Sequence, residues 1–467
     1  MILYDLLYGT QVFFLLYFIA INSVYILLNL VAISSLKRYL GEHTLDDLPR
    51  PYSGFELPIS LLVPAHNEGA TIVASVRSLL QLEYPEHEIV VINDGSRDDT
   101  LQVMIREFRM APFPEAFRKR IETQPMRGIY RSTVFPNLRL IDKENGGKAD
   151  ALNAGINAAR YPLFCAVDAD SILTRDSLWR AVEPFLAEPL TIASGGTVRI
   201  ANGCRVDRGF LTEIGLPYQL LPLLQTVEYL RAFLFGRLGW SNLNAVLVIS
   251  GAFGVFRRDR VTEAGGYRVD CIGEDMELVV RLHRLHRLAR RPYRIIFVPD
   301  PVCWTEAPET FSVLKSQRSR WQRGLSESLF RNHGLLFHPR GGLPGWLAMP
   351  FMLVFEWLSP IVETAGYLFI VVGFLLGVLS VEALLLFLLV AFGFGLLLST
   401  SALLLEEMSF HVYSKPRQML ALIGAVLIEN FGYRQLISFY RVIGLCQWLT
   451  NTTAKWGRMT RTGATTS

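Results

Sequence analysis

Charge is scarce in this sequence. Only 19% of its 467 residues are Asp, Glu, Lys or Arg, against ~25% in soluble domains, while 51% are hydrophobic and the mean hydropathy is +0.29. That shortage argues against an ordinary water-soluble chain and points to membrane segments. The net charge of +4 is too small to hold nucleic acid through its phosphates. Cysteine is scarce too. The five, at positions 165, 204, 271, 303 and 446, form no Cys-x-x-Cys pair and are odd in number. A disulfide framework or zinc site is therefore not expected, and a reducing, cytoplasmic location fits the middle of the chain. Neither Gly-x-Gly-x-x-Gly nor the Gly-x-x-x-x-Gly-Lys spacing occurs. Their absence argues against a dinucleotide oxidoreductase and a P-loop NTPase.

Against that background, the apolar run at residues 162–167 stands out. It is short, continuous and partly aromatic, as a buried strand is. Cys165 inside it reads as a small core residue. The run ends in Asp168-Ala169-Asp170. Two carboxylates at that spacing share a face in a strand, or converge in a turn. Such a pair suits a hard cation that also takes phosphate oxygens, Mg2+ or Mn2+. The alternative is a capped loop, with Asp170 or Thr174 opening the next helix.

Strand and helix patterns alternate around this run: strands at 59–63, 88–93 and 138–141, helices at 69–82, 98–108 and 149–159. Asp98 or Ser96 is placed to cap the second helix, and residues 111–136 read as an irregular, Pro- and Arg-rich insert. The alternation predicts an α/β domain with a parallel, doubly wound sheet, whose ligands bind beyond the carboxyl ends of the strands. Four polar stretches fall at those ends: residues 64–68, Asn93-Asp94-Gly95-Ser96, residues 143–148, and Asp168-Ala169-Asp170. Gly146-Gly147-Lys148, opening a helix, offers amides and a cation to phosphate.

With these stretches in order, residues 58 to about 324 resemble the GT-A catalytic domain of family-2 glycosyltransferases. The likeness is to the membrane-bound processive branch that includes cellulose, hyaluronan and poly-N-acetylglucosamine synthases. Gly273-Glu274-Asp275 resembles that family's acidic motif, and Gln317, Arg320 and Trp321 fit its Gln-x-x-Arg-Trp motif. The resemblance implies that Pro64, Asn67, Glu68 and Asp94 hold the nucleoside of a UDP-sugar. It implies that Asp168 and Asp170 hold the diphosphate, Asp170 chiefly through the metal, with Lys148 assisting. Asp275 becomes the general base. Gln317, Arg320 and Trp321 contact the donor. Gly251, Phe253, Glu274 and Trp321 contact the acceptor. One base and a metal-bound leaving group suit a single displacement with inversion, unlike the paired carboxylates of a retaining hydrolase. The implied activity is extension of a β-linked polysaccharide, an exopolysaccharide of the biofilm kind, with UDP-N-acetylglucosamine as first-choice donor. The alternative is a non-processive enzyme adding one sugar to a lipid or glycolipid. A catalytically inert export or scaffold subunit is the reading from another class.

The expected organisation is an N-terminal membrane helix (1–40), a linker (41–57), the catalytic domain with interfacial helices (58–340), a C-terminal membrane region (341–450) and a basic tail (451–467). Residues 11–36 are long enough to cross ~30 Å of hydrocarbon. Lys37 and Arg38 follow directly and place the catalytic domain in the cytoplasm, beneath the inner (plasma) membrane. Residues 216–240, apolar but carrying Glu228, Arg231 and Arg237, read as an amphipathic helix on the membrane surface, with a core helix as the alternative. The arginine-rich stretch 281–291 reads as a solvated face near anionic lipid. Further spans are expected at about 346–380, divided near Pro360, at 381–405, and at 419–449. The last is interrupted at Glu429-Asn430 and Gly432-Tyr433-Arg434, as a hairpin, re-entrant turn or interfacial segment. Glu356, Glu363, Glu429 and Asn430 are candidates to line a glycan path; the alternative is hydrogen bonding between helices. Expected partners are the sugar donor, the growing glycan, membrane lipids and accessory membrane or envelope subunits, with no nucleic acid.

Overall fold

The computed structural model describes residues 2–43, 56–207 and 209–450. Most of the expected linker, and the basic tail, lie outside the described residues. A long apolar helix, α1 (Ile2–His43), leads into β1 (Ile59–Ala65), α2 (Ile72–Leu79), β2 (His87–Asp94), α3 (Thr100–Glu107), β3 (Met110–Pro112), β4 (Met126–Ser132), β5 (Leu138–Lys143), α4 (Lys148–Ala158) and β6 (Leu163–Val167). There follow β7 (Ile172–Leu173), α5 (Ser177–Ala187), β8 (Thr191–Ile200), the hairpin β9 (Arg205–Asp207) and β10 (Phe210–Glu213), α6 (Leu220–Leu230) and α7 (Leu238–Asn242). Then come β11 (Phe253–Arg257), α8 (Arg258–Glu263), α9 (Glu274–Leu288), β12 (Arg294–Thr305) and α10 (Phe311–Arg331).

Ten strands make one sheet in the order β3-β4-β5-β2-β1-β6-β11-β8-β12-β7. The neighbours β5, β2, β1 and β6 are parallel. Their residues are buried on both faces, which is why they read as continuous apolar runs. The small residues of α4 let it lie flat on them: a Cβ on Gly155 would stand 3.1 Å from Ile92 and from Leu62.

The sheet departs from the all-parallel expectation on both sides. β11 runs antiparallel between β6 and β8, and β4 runs antiparallel beside β5. The stretch expected to be irregular, 111–136, contains β4. That strand is half-buried along most of its length and carries Arg127 and Arg131, so it has no apolar period to detect. The helix expected to open at Asp170 or Thr174 does not form there. β7 intervenes against β12, and α5 starts at Ser177. Asp98 does act at the start of α3, accepting from the Thr100 amide at 3.1 Å and from the Gly69 amide at 3.0 Å.

Beyond α10, π-wound turns flank α11 (Met349–Phe351) and lead into α12 (Ser359–Leu375), α13 (Val381–Leu388), α14 (Phe394–Ser409), α15 (Pro416–Ile428) and α16 (Arg434–Leu449). Among the described residues four helical stretches are long and apolar enough to cross a membrane: Leu7–Gly41, Pro344–Leu375, Val381–Ser409 and Pro416–Leu449. The second bends where Leu358 precedes Ser359 and Pro360, close to the expected division. The fourth is broken at Phe431 and Gly432, whose backbone leaves the helical region. Its halves take different partners: α15 packs on α6 and α14, α16 on α10 and α12.

Most of residues 221–240 pack inside the protein, while Tyr218 and Leu220 are exposed. α6, a π-wound turn (Arg231–Arg237) and α7 run between the sheet and the membrane helices, touching β8 and β12 on one side and α1, α14 and α15 on the other. Leu224, Val227, Leu230 and Trp240 are buried there.

Charged pairs cross the same junction. Arg199 of β8 meets Glu406 of α14, both buried, and Arg231 pairs with Glu429 at 2.6 Å. Arg441 pairs with Glu356 at 3.1 Å, and Tyr25 of α1 also donates to Glu356. Glu363 accepts from Ser359 and Ser438, both at 2.5 Å. Asn430 donates to the Val426 carbonyl and accepts from Arg434. The four polar groups named as candidate path lining are thus all engaged in bonds within or between helices.

Candidate active site

Because β5, β2, β1 and β6 are parallel neighbours, their carboxyl ends share one rim, and the four polar stretches meet there. Asp94, at the end of β2, is buried. Its carboxylate accepts from Lys143 Nζ at 2.6 Å, from the Gly146 and Gly147 amides at 3.0 and 2.8 Å, and from Asn145 Nδ2 at 3.1 Å. Lys143, fully buried, also pairs with Asp150 at 2.6 Å. Asp94 therefore shapes the Gly146–Gly147 turn, where φ of +89° at Gly147 requires a residue without Cβ. The acceptor oxygens of Asp94, expected to hold a nucleoside, are engaged here by its own loop. The stretch after β1 is tied to the one after β2. His66 Nδ1 lies 2.8 Å from the Asp94 carbonyl, Asn67 Oδ1 accepts from the Arg97 amide at 2.8 Å, and the Glu68 amide donates to Thr100 at 2.9 Å. Pro64 sits in β1, one residue before its end.

The second half of the site gathers around Lys148, the first residue of α4. Its ammonium lies 2.5 Å from Asp168 Oδ1, 3.2 Å from the Gly251 carbonyl and 3.9 Å from Glu274 Oε1. The Gly251 amide donates to Asp275 Oδ2 at 2.9 Å. β11 causes this meeting: pairing Phe253 opposite Val167 brings the preceding loop beside Asp168. A Cβ on Gly251 would stand 3.1 Å from both Asp275 Oδ2 and Lys148 Nζ. Burial works against the Lys148 charge, but Asp168 and Glu274 outweigh it and hold the ammonium above the usual lysine range. Glu274 is pushed up to about 7 by burial, with Lys148 opposing and Asp275 adding to the rise. Asp275 is the second residue of α9, after Glu274.

α10 completes the wall. Gly273 and Gly324 lie back to back, so α10 crosses the start of α9 at backbone distance. Gln317 is buried, Arg320 is half-buried and Trp321 is 45% exposed, so the three do not form one uniformly open face. Arg318, between them, is buried against Glu228 at 2.8 Å and sets its guanidinium 4.2 Å from the Trp321 ring. Phe253, expected to contact an acceptor, has its side chain fully buried in β11 and packed in the core.

Among the described residues no three His, Cys, Asp or Glu side chains converge as a metal cage. Asp168 and Asp170 instead offer hard oxygens at the rim, Asp168 with a partly exposed side chain. That donor set fits Mg2+ or Mn2+, which keep waters and take phosphate oxygens beside one or two carboxylates.

Lys143, the Gly251 amide and Arg318 were not singled out from sequence for this site. A backbone donor has no sequence signature, and Arg318 is masked by the motif residues around it. Lys143 reads as a loop cation until its burial is seen.

Two family models cover more than half of the chain: "Glycosyl transferase family 2" matches residues 60–121 and "Glycosyltransferase like family 2" matches residues 132–324. A "Chitin synthase" model matches residues 267–436. Poly-beta-1,6-N-acetyl-D-glucosamine synthase of Staphylococcus epidermidis is 31% identical over 275 residues, which are 59% of this chain and 56% of that protein. Its counterpart from Staphylococcus aureus strain COL is 32% identical over 276 residues, with the same coverage. The chain thus spans little more than half the length of these relatives. In fold it is similar to the mannosyltransferase PcManGT from Pyrobaculum calidifontis, solved with GDP-Man and Mn2+. The TM-score is 0.51 at 19% identity, covering 89% of this chain and 99% of that one. With GT-A-like strand order, a shared rim and motif residues in sequence, the chain belongs to glycosyltransferase family 2.

Proposed function

We propose that this protein is an inverting, metal-dependent glycosyltransferase that moves a sugar from a UDP-sugar, UDP-N-acetylglucosamine first, to the end of a growing β-linked polysaccharide. The observation that carries the proposal is one connected set of contacts. Asp275 accepts the Gly251 amide, the Gly251 carbonyl meets Lys148, and Lys148 pairs with Asp168. Base, loop and diphosphate side are fixed relative to one another.

In this reading Asp275 takes the proton from the acceptor hydroxyl as that oxygen attacks the anomeric carbon. The amide of Gly251 holds the carboxylate in place for it. Lys148 gives charge to the departing diphosphate from beside Asp168. Asp168 and Asp170 hold the divalent cation, which when bound stabilises the leaving charge as a Lewis acid. Arg320 offers the diphosphate a planar donor fork, and Trp321 covers the acceptor sugar. The Gly146–Gly147 turn, set by Asp94, shapes the donor side of the rim.

The membrane helices belong to a multi-pass protein of the plasma membrane with the catalytic domain cytoplasmic, and export of the product is part of the proposal. Similarity to the staphylococcal synthases supports the donor and polymer; Lys37 and Arg38 support the orientation. The test is full-length protein in lipid with a panel of UDP-sugars plus Mg2+ or Mn2+, followed by sizing of the product and NMR of its anomeric protons. A long β-linked polymer is the expected result. Single-sugar addition to lipid would replace the polymerase with the non-processive alternative, and an α-linkage would reject inversion.

A further inference from the structure

Arg237 closes the π-wound turn between α6 and α7, far in sequence from every motif residue. Its guanidinium lies 3.8 Å from the Phe233 ring and 6.0 Å from the Phe297 ring. Nη1 is buried with no hydrogen-bond partner among the described residues. Burial pulls the group down to about 10, against the nearby Asp275 carboxylate and Tyr229, so it is a cation at neutral pH. A buried guanidinium N–H without an acceptor is costly, and a native chain seldom keeps one without use.

The surroundings say which ligand would satisfy it. The charges of Asp275 and Tyr229 act on Arg237. Asp168 and Glu274 lie against Lys148, on which Asp275 also acts. Tyr229 in turn stands 6.5 Å from Trp321, ring centre to ring centre, and 5.6 Å from Phe233. Arg237 therefore stands on the side of Asp275 bounded by aromatic rings. A group presented there must accept from a cation and give its own proton to a carboxylate. A sugar hydroxyl does both; a diphosphate oxygen does only the first.

We propose that Arg237 is an acceptor-binding residue, donating to an oxygen of the terminal sugar whose hydroxyl is deprotonated by Asp275. This rests on the transferase reading. The aromatic rings under the guanidinium keep its orientation fixed, so the donor is aimed before the glycan arrives.

The test uses full-length protein in lipid, with UDP-N-acetylglucosamine and a β-linked N-acetylglucosamine pentamer. Arg237→Gln and Arg237→Lys are compared with wild type for acceptor KM, donor KM and UDP affinity. The expected result is a rise in acceptor KM of about tenfold or more for Gln, the scale of one lost charge-assisted hydrogen bond, with partial recovery in Lys and with UDP affinity unchanged. Thermal unfolding of both variants separates this from misfolding, because Lys keeps the stem packed on Phe233. Loss of UDP affinity with acceptor KM unchanged would overturn the assignment, as would wild-type kinetics in Arg237→Gln. A wild-type protein that releases no UDP from any sugar donor would instead sink the transferase reading, and this inference with it.

Discussion

A Cβ placed on Gly273 would stand 2.7 Å from the Cα of Gly324, and one on Gly324 would stand 2.8 Å from the Cα of Gly273. The two glycines let α10 touch the first turn of α9, which carries Glu274 and Asp275. Gly324→Ala should force the helices apart, at about 1–3 kcal/mol for overpacking. Thermal unfolding in detergent and UDP release should both fall. An Ala variant with wild-type stability and turnover would show that the close crossing is dispensable.

Asp275→Asn keeps an oxygen for the Gly251 amide, so the loop should hold its shape. What is lost is the ability to take a proton. Turnover should drop about 10²–10⁴-fold, while UDP affinity, measured by calorimetry, stays near wild type. Undiminished UDP release would remove Asp275 from the chemistry.

Asp170→Asn tests the metal assignment. UDP binding by wild type should strengthen on adding Mn2+ or Mg2+. The variant should bind UDP about equally with the ion or with a chelator. An ion dependence equal to that of wild type would move the metal elsewhere.

Glu274 links stability to pH. Its carboxyl titrates near 7 in the folded protein, raised by burial, and near the ordinary 4.5 when unfolded. The folded state thus holds a proton that the unfolded state has already released, so the stabilising contribution is complete below about pH 4.5 and is lost as pH rises through about 7. Wild-type Tm should decline between pH 5 and 8 relative to Glu274→Gln. Parallel Tm profiles for the two proteins would refute the shift.

The strands that carry the rim were legible because they are buried on both faces; β1, β2 and β6 each read as a short apolar run ending in polar residues. β4 was not legible, because a half-buried strand with Arg127 and Arg131 follows no apolar period. Residues 216–240 were ambiguous for a physical reason: a helix between a sheet and membrane helices has apolar neighbours on two sides, yet carries charges that pair across the junction. Lys148, Asp168 and Asp275 were found by motif, and the structure brings them together through one loop. For Asp94 and Phe253 the motif gives the residue type but not its surroundings: one carboxylate is engaged by its own loop and one ring is inside the core. Arg237 belongs to no motif, and only its burial beside Asp275 marks it.

Arg199 and Glu406 join the catalytic sheet to a membrane helix through a pair from which water is excluded. Neither partner tolerates separation, since an isolated buried charge costs several kcal/mol. Sheet and helix are therefore coupled through this buried pair, and separating them would leave each charge without its partner. Residues 58–340 produced alone would expose the apolar backs of α6 and α7 and strand Arg199 without its counter-ion. The soluble-looking half of this chain keeps part of its own charge balance in the greasy half.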